Sequence, residues 1–110
     1  MRVPLLLLAV STALGAQEAH QHEMIGTVHF PTSCSPDVQI LFERGVALLH
    51  SFWYEESFKT FAAVSAADSA CAMAYWGQAM SLLHPLWAPP SPDDLKQGHE
   101  LSERAAALAH

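Results

Sequence analysis

The chain is short of positive charge. Its 110 residues hold five Lys or Arg against eleven Asp or Glu, a net charge of −6. One of the five, Arg2, lies in a leader, which leaves Arg44, Lys59, Lys96 and Arg104. Nucleic-acid binding needs a basic footprint, and an anionic membrane surface attracts basic clusters, so neither partner class fits. Catalytic signatures are missing too. There is no Gly-x-Ser-x-Gly, no His-Glu-x-x-His, no glycine-rich phosphate loop and no Ser, His and Asp pattern that can be placed as a triad. Glu55 and Glu56 are neighbours on one helix and point apart, whereas paired carboxylates need a shared cleft for acid–base work. The chain is therefore expected to be no enzyme and to hold no cofactor. Cys34 and Cys71 are the only cysteines and form no Cys-x-x-Cys, which argues against a redox role.

Long apolar runs are also lacking. Val3 to Val10 falls short of the roughly 20 residues a membrane span needs. It follows Met1-Arg2 and precedes the small residues Ser11 to Ala16, the order of a secretory signal peptide over residues 1–16. Ala13-x-Gly15 fits the small-x-small cleavage rule. The chain is expected to be exported, periplasmic or extracellular, with no membrane contact beyond that signal. Residues 17–34 read as a polar leader followed by a short extended segment, Ile25 to Phe30, bounded by Gly26 and Pro31.

What is present is helical periodicity. Ser35-Pro36-Asp37 is a helix start: serine to cap, proline at the first position, an acid at the positive end of the dipole. Val38, Leu41, Phe42, Gly45, Leu48, Leu49 and Phe52 then recur at spacings of three and four, one apolar face. Gly45 lowers helix propensity by roughly 1 kcal/mol against alanine and suggests a close helix neighbour. Trp53-Tyr54-Glu55-Glu56 opens a second helix, with Tyr54, Ser57, Phe58, Phe61 and Val64 as its buried stripe, and Ala66-Ala67-Asp68-Ser69 ends it. Ala72 to His84 is a third, stopped by Pro85. Its apolar residues occur on all sides, which predicts cover on all sides. After Ala88-Pro89-Pro90, Ser91-Pro92-Asp93 repeats the starting triplet, and a fourth helix runs through Leu95, Leu101, Ala105 and Leu108.

One stretch recurs. Leu48-Leu49-His50-Ser51-Phe52-Trp53 returns as Leu82-Leu83-His84-Pro85-Leu86-Trp87, 34 residues later at every position. Phe42 with Trp76 and Gly45 with Ala79 fit the same offset. A fixed period of this size with helical patterning indicates stacked helix pairs.

At these residues the chain resembles a tetratricopeptide repeat protein. Gly45 sits where that repeat has a small residue, Tyr54-Glu55-Glu56-Ser57 is similar to the opening of its second helix, Phe61 matches the aromatic there, and Ala72-x-Ala74-Tyr75 is similar to the entry of the next unit. Phe30-Pro31-Thr32-Ser33-Cys34, the run His50 to Glu56, and Cys71-Ala72-Met73-Ala74-Tyr75-Trp76-Gly77 resemble exported bacterial members of unassigned activity. Ser69 stands where the repeat has proline, and Ala79 where it has a second glycine. The resemblance implies an all-α fold: two tetratricopeptide-like antiparallel helix hairpins, residues 35–71 and 72–110, forming a short α-solenoid.

It also implies a concave groove, lined by Gln39, Phe42, Val46, Leu49, His50, Met73, Trp76, Met80, Leu83 and His84. Such a surface suits a peptide or helix. Alternatively the extended segment Ile25 to Pro31, or a further helix, fills it. His50 and His84 take equivalent places near helix ends, where an imidazole interacts with the dipole. A bridging metal would need more, since zinc takes three or four protein ligands. In stacked repeats the starts of the first and third helices are neighbours, so Cys34 and Cys71 are expected to form a disulfide, which export favours. Two buried thiols that never meet are the alternative. The expected function is a scaffold binding protein or peptide, or itself, head to tail, as an oligomer or filament. The competing class is copper handling by His20, His22 and Met24, because imidazole and thioether suit that metal.

Overall fold

Phe61 is the residue the fold closes on. It is fully buried, and a glycine from each neighbouring helix lies against its ring. In the computed structural model, which describes residues 24–84 and 88–109, a β-carbon built on Gly45 would come within 2.8 Å of the ring, and one on Gly77 within 2.4 Å. Any larger residue at either place would push the helices apart.

Four helices carry the chain: α1 (Gln39–His50), α2 (Tyr54–Ala67), α3 (Ala72–Leu83) and α4 (Pro92–Leu108), and no strand occurs among the described residues. Each packs on the next, and α1 also meets α3, so α2 lies against both. The all-α expectation holds, with packed helix pairs. Phe42, Val46, Phe61, Val64, Cys71 and Ala74 form the core together with Val38.

The face α3 shows α2 differs from expectation. The large apolar residues of α3 are not its most buried ones: Ala74, Gly77, Gln78 and Ser81 are buried, whereas Met73, Trp76, Met80 and Leu82 are half-buried and Leu83 is exposed. Close approach selects small residues there. Their polar atoms are satisfied within the contact. Ser57 Oγ donates to Gly45 O at 2.9 Å, and Ser81 Oγ lies 2.8 Å from Gly77 O and 3.1 Å from Ser57 Oγ. Gln78 Nε2 donates to Ser65 Oγ and Ala74 O.

The two Ser-Pro-Asp triplets end differently. Ser91 makes a capping box: its Oγ accepts from Asp94 N, and Asp94 Oδ2 accepts from Ser91 N at 3.0 Å. Ser35 makes no side-chain cap; Pro36–Val38 forms a 3-10 turn instead, with Val38 N donating to Ser35 O. The reciprocal acid three residues on decides the difference, since Asp94 can answer the serine and Val38 cannot. The Ser35 amide goes to Asp68 Oδ2 at 2.8 Å, which ties the start of α1 to the end of α2.

Cys34 and Cys71 are disulfide-bonded, 37 residues apart in sequence. The bridge joins the chain just before α1 to the chain just before α3. Closing a loop of this length removes about 4 kcal/mol of unfolded-state entropy in the chain-entropy model.

Candidate binding surfaces

The expected groove is not one surface. Phe42 is fully buried and Val46 nearly so; both belong to the core and do not line an open groove. The reason is the segment ahead of α1. Val28 packs on the core, and Phe30 sits with its ring edge-on to Phe42 at 5.5 Å and stacked over Trp76 at 6.3 Å. Its backbone is held at both ends by an i, i+4 pair on α1: Phe30 N donates to Glu43 Oε1 at 3.0 Å, and Gln39 Nε2 donates to Phe30 O at 2.7 Å. Gln39 Oε1 also accepts from Thr32 Oγ1 at 2.8 Å. An extended peptide is thus already seated there, and it is the protein's own. Of the two occupants the sequence left open, the described residues show the extended segment.

The Glu43 carboxyl is held below its ordinary value of 4.5, chiefly by the Phe30 amide, then by Gln39, with the nearby His29 adding to the effect. These bonds favour the ionised form.

The other groove residues disperse. Met73 packs against the core. Met80 and Leu83 line a shallow pocket of about 270 Å³ between α3 and α4. Leu49 is half-buried and His50 exposed. His84 has left the helix: at φ +44° it caps α3 in the left-handed region, with its ring 5.0 Å from that of Tyr54. Helix α3 has neighbours on two sides, so its 34-residue counterparts of α1 residues divide between them.

A larger pocket, about 720 Å³, opens at the corner where α1 turns into α2. Phe52, Trp53, Tyr54, Phe58, Leu82 and His84 form its apolar and aromatic walls, and Glu55, Glu56 and Lys59 also border it. Phe52 is 48% and Trp53 50% exposed, unusual for aromatic residues of this size. The local chain geometry puts them there. Trp53 N donates to Leu48 O at 3.0 Å and Phe52 N to Leu49 O at 3.2 Å, the two bonds of a Schellman ending. That ending requires its left-handed residue to be Phe52, at φ +63°, where glycine is the usual occupant. A side chain in this conformation costs roughly 1–2 kcal/mol. His84, the other non-glycine residue at positive φ among those described, borders the same pocket.

A scan against protein-family models, a search of curated proteins and a search of solved structures each return no match. Function is therefore argued from the residues themselves.

The metal reading gains no ligand set. His20 and His22 lie outside the described residues, as do residues 1–16, expected to be a signal peptide, and Trp87, and Met24 is almost fully exposed. Among the described residues one cluster has ligand-type side chains in reach of each other, Cys34, Asp68 and Cys71, but both sulfurs are in the disulfide. Asp68 is occupied as well, accepting from Ser35 N and Ala70 N.

Sequence reasoning placed Phe52 on a buried helical face and Trp53 in a turn, and so missed the corner pocket. A signal was available. Two aromatic residues follow the last apolar turn of α1 with no glycine to take the left-handed position, so one of them had to.

Proposed function

We propose that this chain is an exported tetratricopeptide-like module, two helix hairpins of a short α-solenoid, that binds a partner protein at the aromatic corner between α1 and α2. The carrying observation is Phe52 at φ +63°. Backbone strain at a large, half-exposed aromatic beside an apolar pocket is what a contact site retains and a bare turn has no reason to keep. The repeat reading is supported by the matched offset: Gly45 lies against Phe61 of the following helix, and Ala79, 34 residues on, borders the pocket between α3 and α4. The disulfide is compatible with export. The extended segment already covers Phe42 and Trp76, which favours the larger corner pocket as the surface for a second chain. Self-association by stacking on α4 has less support, because Lys96, Gln97, Glu100 and Glu103 face solvent there.

Panning a displayed peptide library on the disulfide-bonded protein, with a Trp53→Ser variant as counter-selection, tests this. Peptides enriched on the wild type and lost on the variant are expected. Enrichment that is equal on both, with unchanged circular dichroism, would overturn the reading.

A further inference from the structure

We infer that the corner pocket receives an arginine side chain presented by the partner protein. This rests on the proposed function and adds the chemistry of what is bound. Size comes first. At about 720 Å³ the pocket is far larger than a small free cation, and it has room for a long side chain with its apolar neighbours. The walls come second. The half-exposed indole of Trp53 offers an aromatic face, and a planar guanidinium stacks on such faces while carrying less hydration than an ammonium.

The anion comes third. Glu56 is engaged: its carboxylate accepts from Lys59 Nζ at 2.8 Å. Glu55, one residue earlier on the same rim, is exposed and makes no hydrogen bond to the described residues, and its charge acts on Lys59 only at longer range, helping Glu56 to raise that ammonium's pKa. Both its carboxylate oxygens can accept from a guanidinium in the two-point geometry an ammonium cannot match. The Tyr54 hydroxyl also makes no hydrogen bond to the described residues; it borders the pocket and is reachable from it, since no buried side-chain polar atom among the described residues lacks a partner. It can accept from a third guanidinium N–H. The excess of acidic residues over the whole chain favours approach of a basic partner, and two acids against one Lys border the pocket itself. An anionic ligand would meet Glu55 directly.

The test titrates isotope-labelled protein with three blocked pentapeptides, serine-leucine-x-leucine-serine, where x is arginine, citrulline or lysine. Binding is read from the Trp53 indole resonance. Citrulline keeps the shape of arginine and loses the charge. The arginine peptide is expected to bind at least tenfold more tightly than the citrulline peptide and several-fold more tightly than the lysine peptide. Glu55→Gln should remove most of the arginine preference, whereas Glu100→Gln on α4 should leave it intact. Equal binding of the arginine and citrulline peptides at this corner would overturn the inference while leaving the binding site standing. No perturbation of the corner by any of the three, or by peptides from the library, would remove the proposed function itself.

Discussion

The two packed helix pairs are held by different means. Between α1 and α2 a phenylalanine is wedged against glycine, Ser57 bonds across the contact to Gly45 O, an extended segment closes one face and a disulfide carries the join on to α3. Between α3 and α4 none of these is present. No residue of α4 is buried; Asp94, Gly98, Leu101, Ala105 and Leu108 form a stripe that is only half-covered. Gly98 has nothing within 4 Å of where a β-carbon would sit, in contrast to Gly45 and Gly77. What α4 has instead is a capping box at its start, an exposed His99–Glu103 pair at i, i+4, and half-covered packing on α3 that includes the Arg104 guanidinium 5.3 Å over the Tyr75 ring. The comparison teaches that one helix pattern can be stabilised by packing or by its own ends. A helix held mainly by its ends frays more readily, because local devices contribute tenths to about 1 kcal/mol each where a buried ring contributes several.

The largest expected effect breaks the first hairpin. Phe61→Ala empties the contact of α1, α2 and α3 at once and should lower stability by about 3–5 kcal/mol in denaturant melts. Leu101→Ala, its nearest counterpart on the α4 stripe, should lower it by about 1 kcal/mol, since a half-covered leucine has less apolar area to lose. Equal losses would show that α4 is packed as tightly as α2.

The glycines give a sharper, smaller contrast, opposite in sign. Gly77→Ala forces a methyl into the Phe61 ring and should destabilise by about 1–3 kcal/mol. Gly98→Ala meets open space in the middle of a helix and should stabilise by roughly 0.5–1 kcal/mol, read as a rise in melting temperature. A loss at both positions would mean that α3 and α4 approach more closely than described.

Acid provides the finest test. The carboxyls of Glu43 and Asp94 are both held below their ordinary values, 4.5 and 3.8, by the Phe30 amide and by Ser91 respectively. A depressed native value means that the stabilisation is complete above the unfolded value. It is lost as the pH falls below that value and on through the native one. Hydrogen exchange should therefore show the Phe30 amide and the first turn of α4 opening below about pH 4, while amides around Phe61 stay protected. Glu43→Gln should remove the pH dependence at Phe30 alone.

Much of this was legible in the residues. The ends of α2 at Tyr54 and Ala67 follow from the turn aromatics and Asp68, and four of the five expected stripe residues, Tyr54, Ser57, Phe61 and Val64, are buried, whereas Phe58 is half-buried and Thr60 takes a buried place instead. The disulfide pairing followed from placing the starts of α1 and α3 side by side. The candidate site was less legible. Phe42 and Val46 have the spacing of groove residues and the burial of core residues, because spacing says which side a residue is on and not what lies over it. Gly77 was passed over in favour of Ala79, since the 34-residue match pairs Gly45 with the latter. Its role appears only when α2 is seen to have a helix on each side.

Local chemistry along the chain was enough to set four helices and their approximate limits, because capping residues, apolar periodicity and proline act over a few neighbours. Which faces meet, which glycine takes the ring, that Phe30 lies over Phe42 and Trp76, and that Phe52 turns outward at positive φ were decided only in three dimensions. Those outcomes depend on how closely helices approach and on which segment reaches a surface first, and neither quantity is carried by any one stretch of sequence.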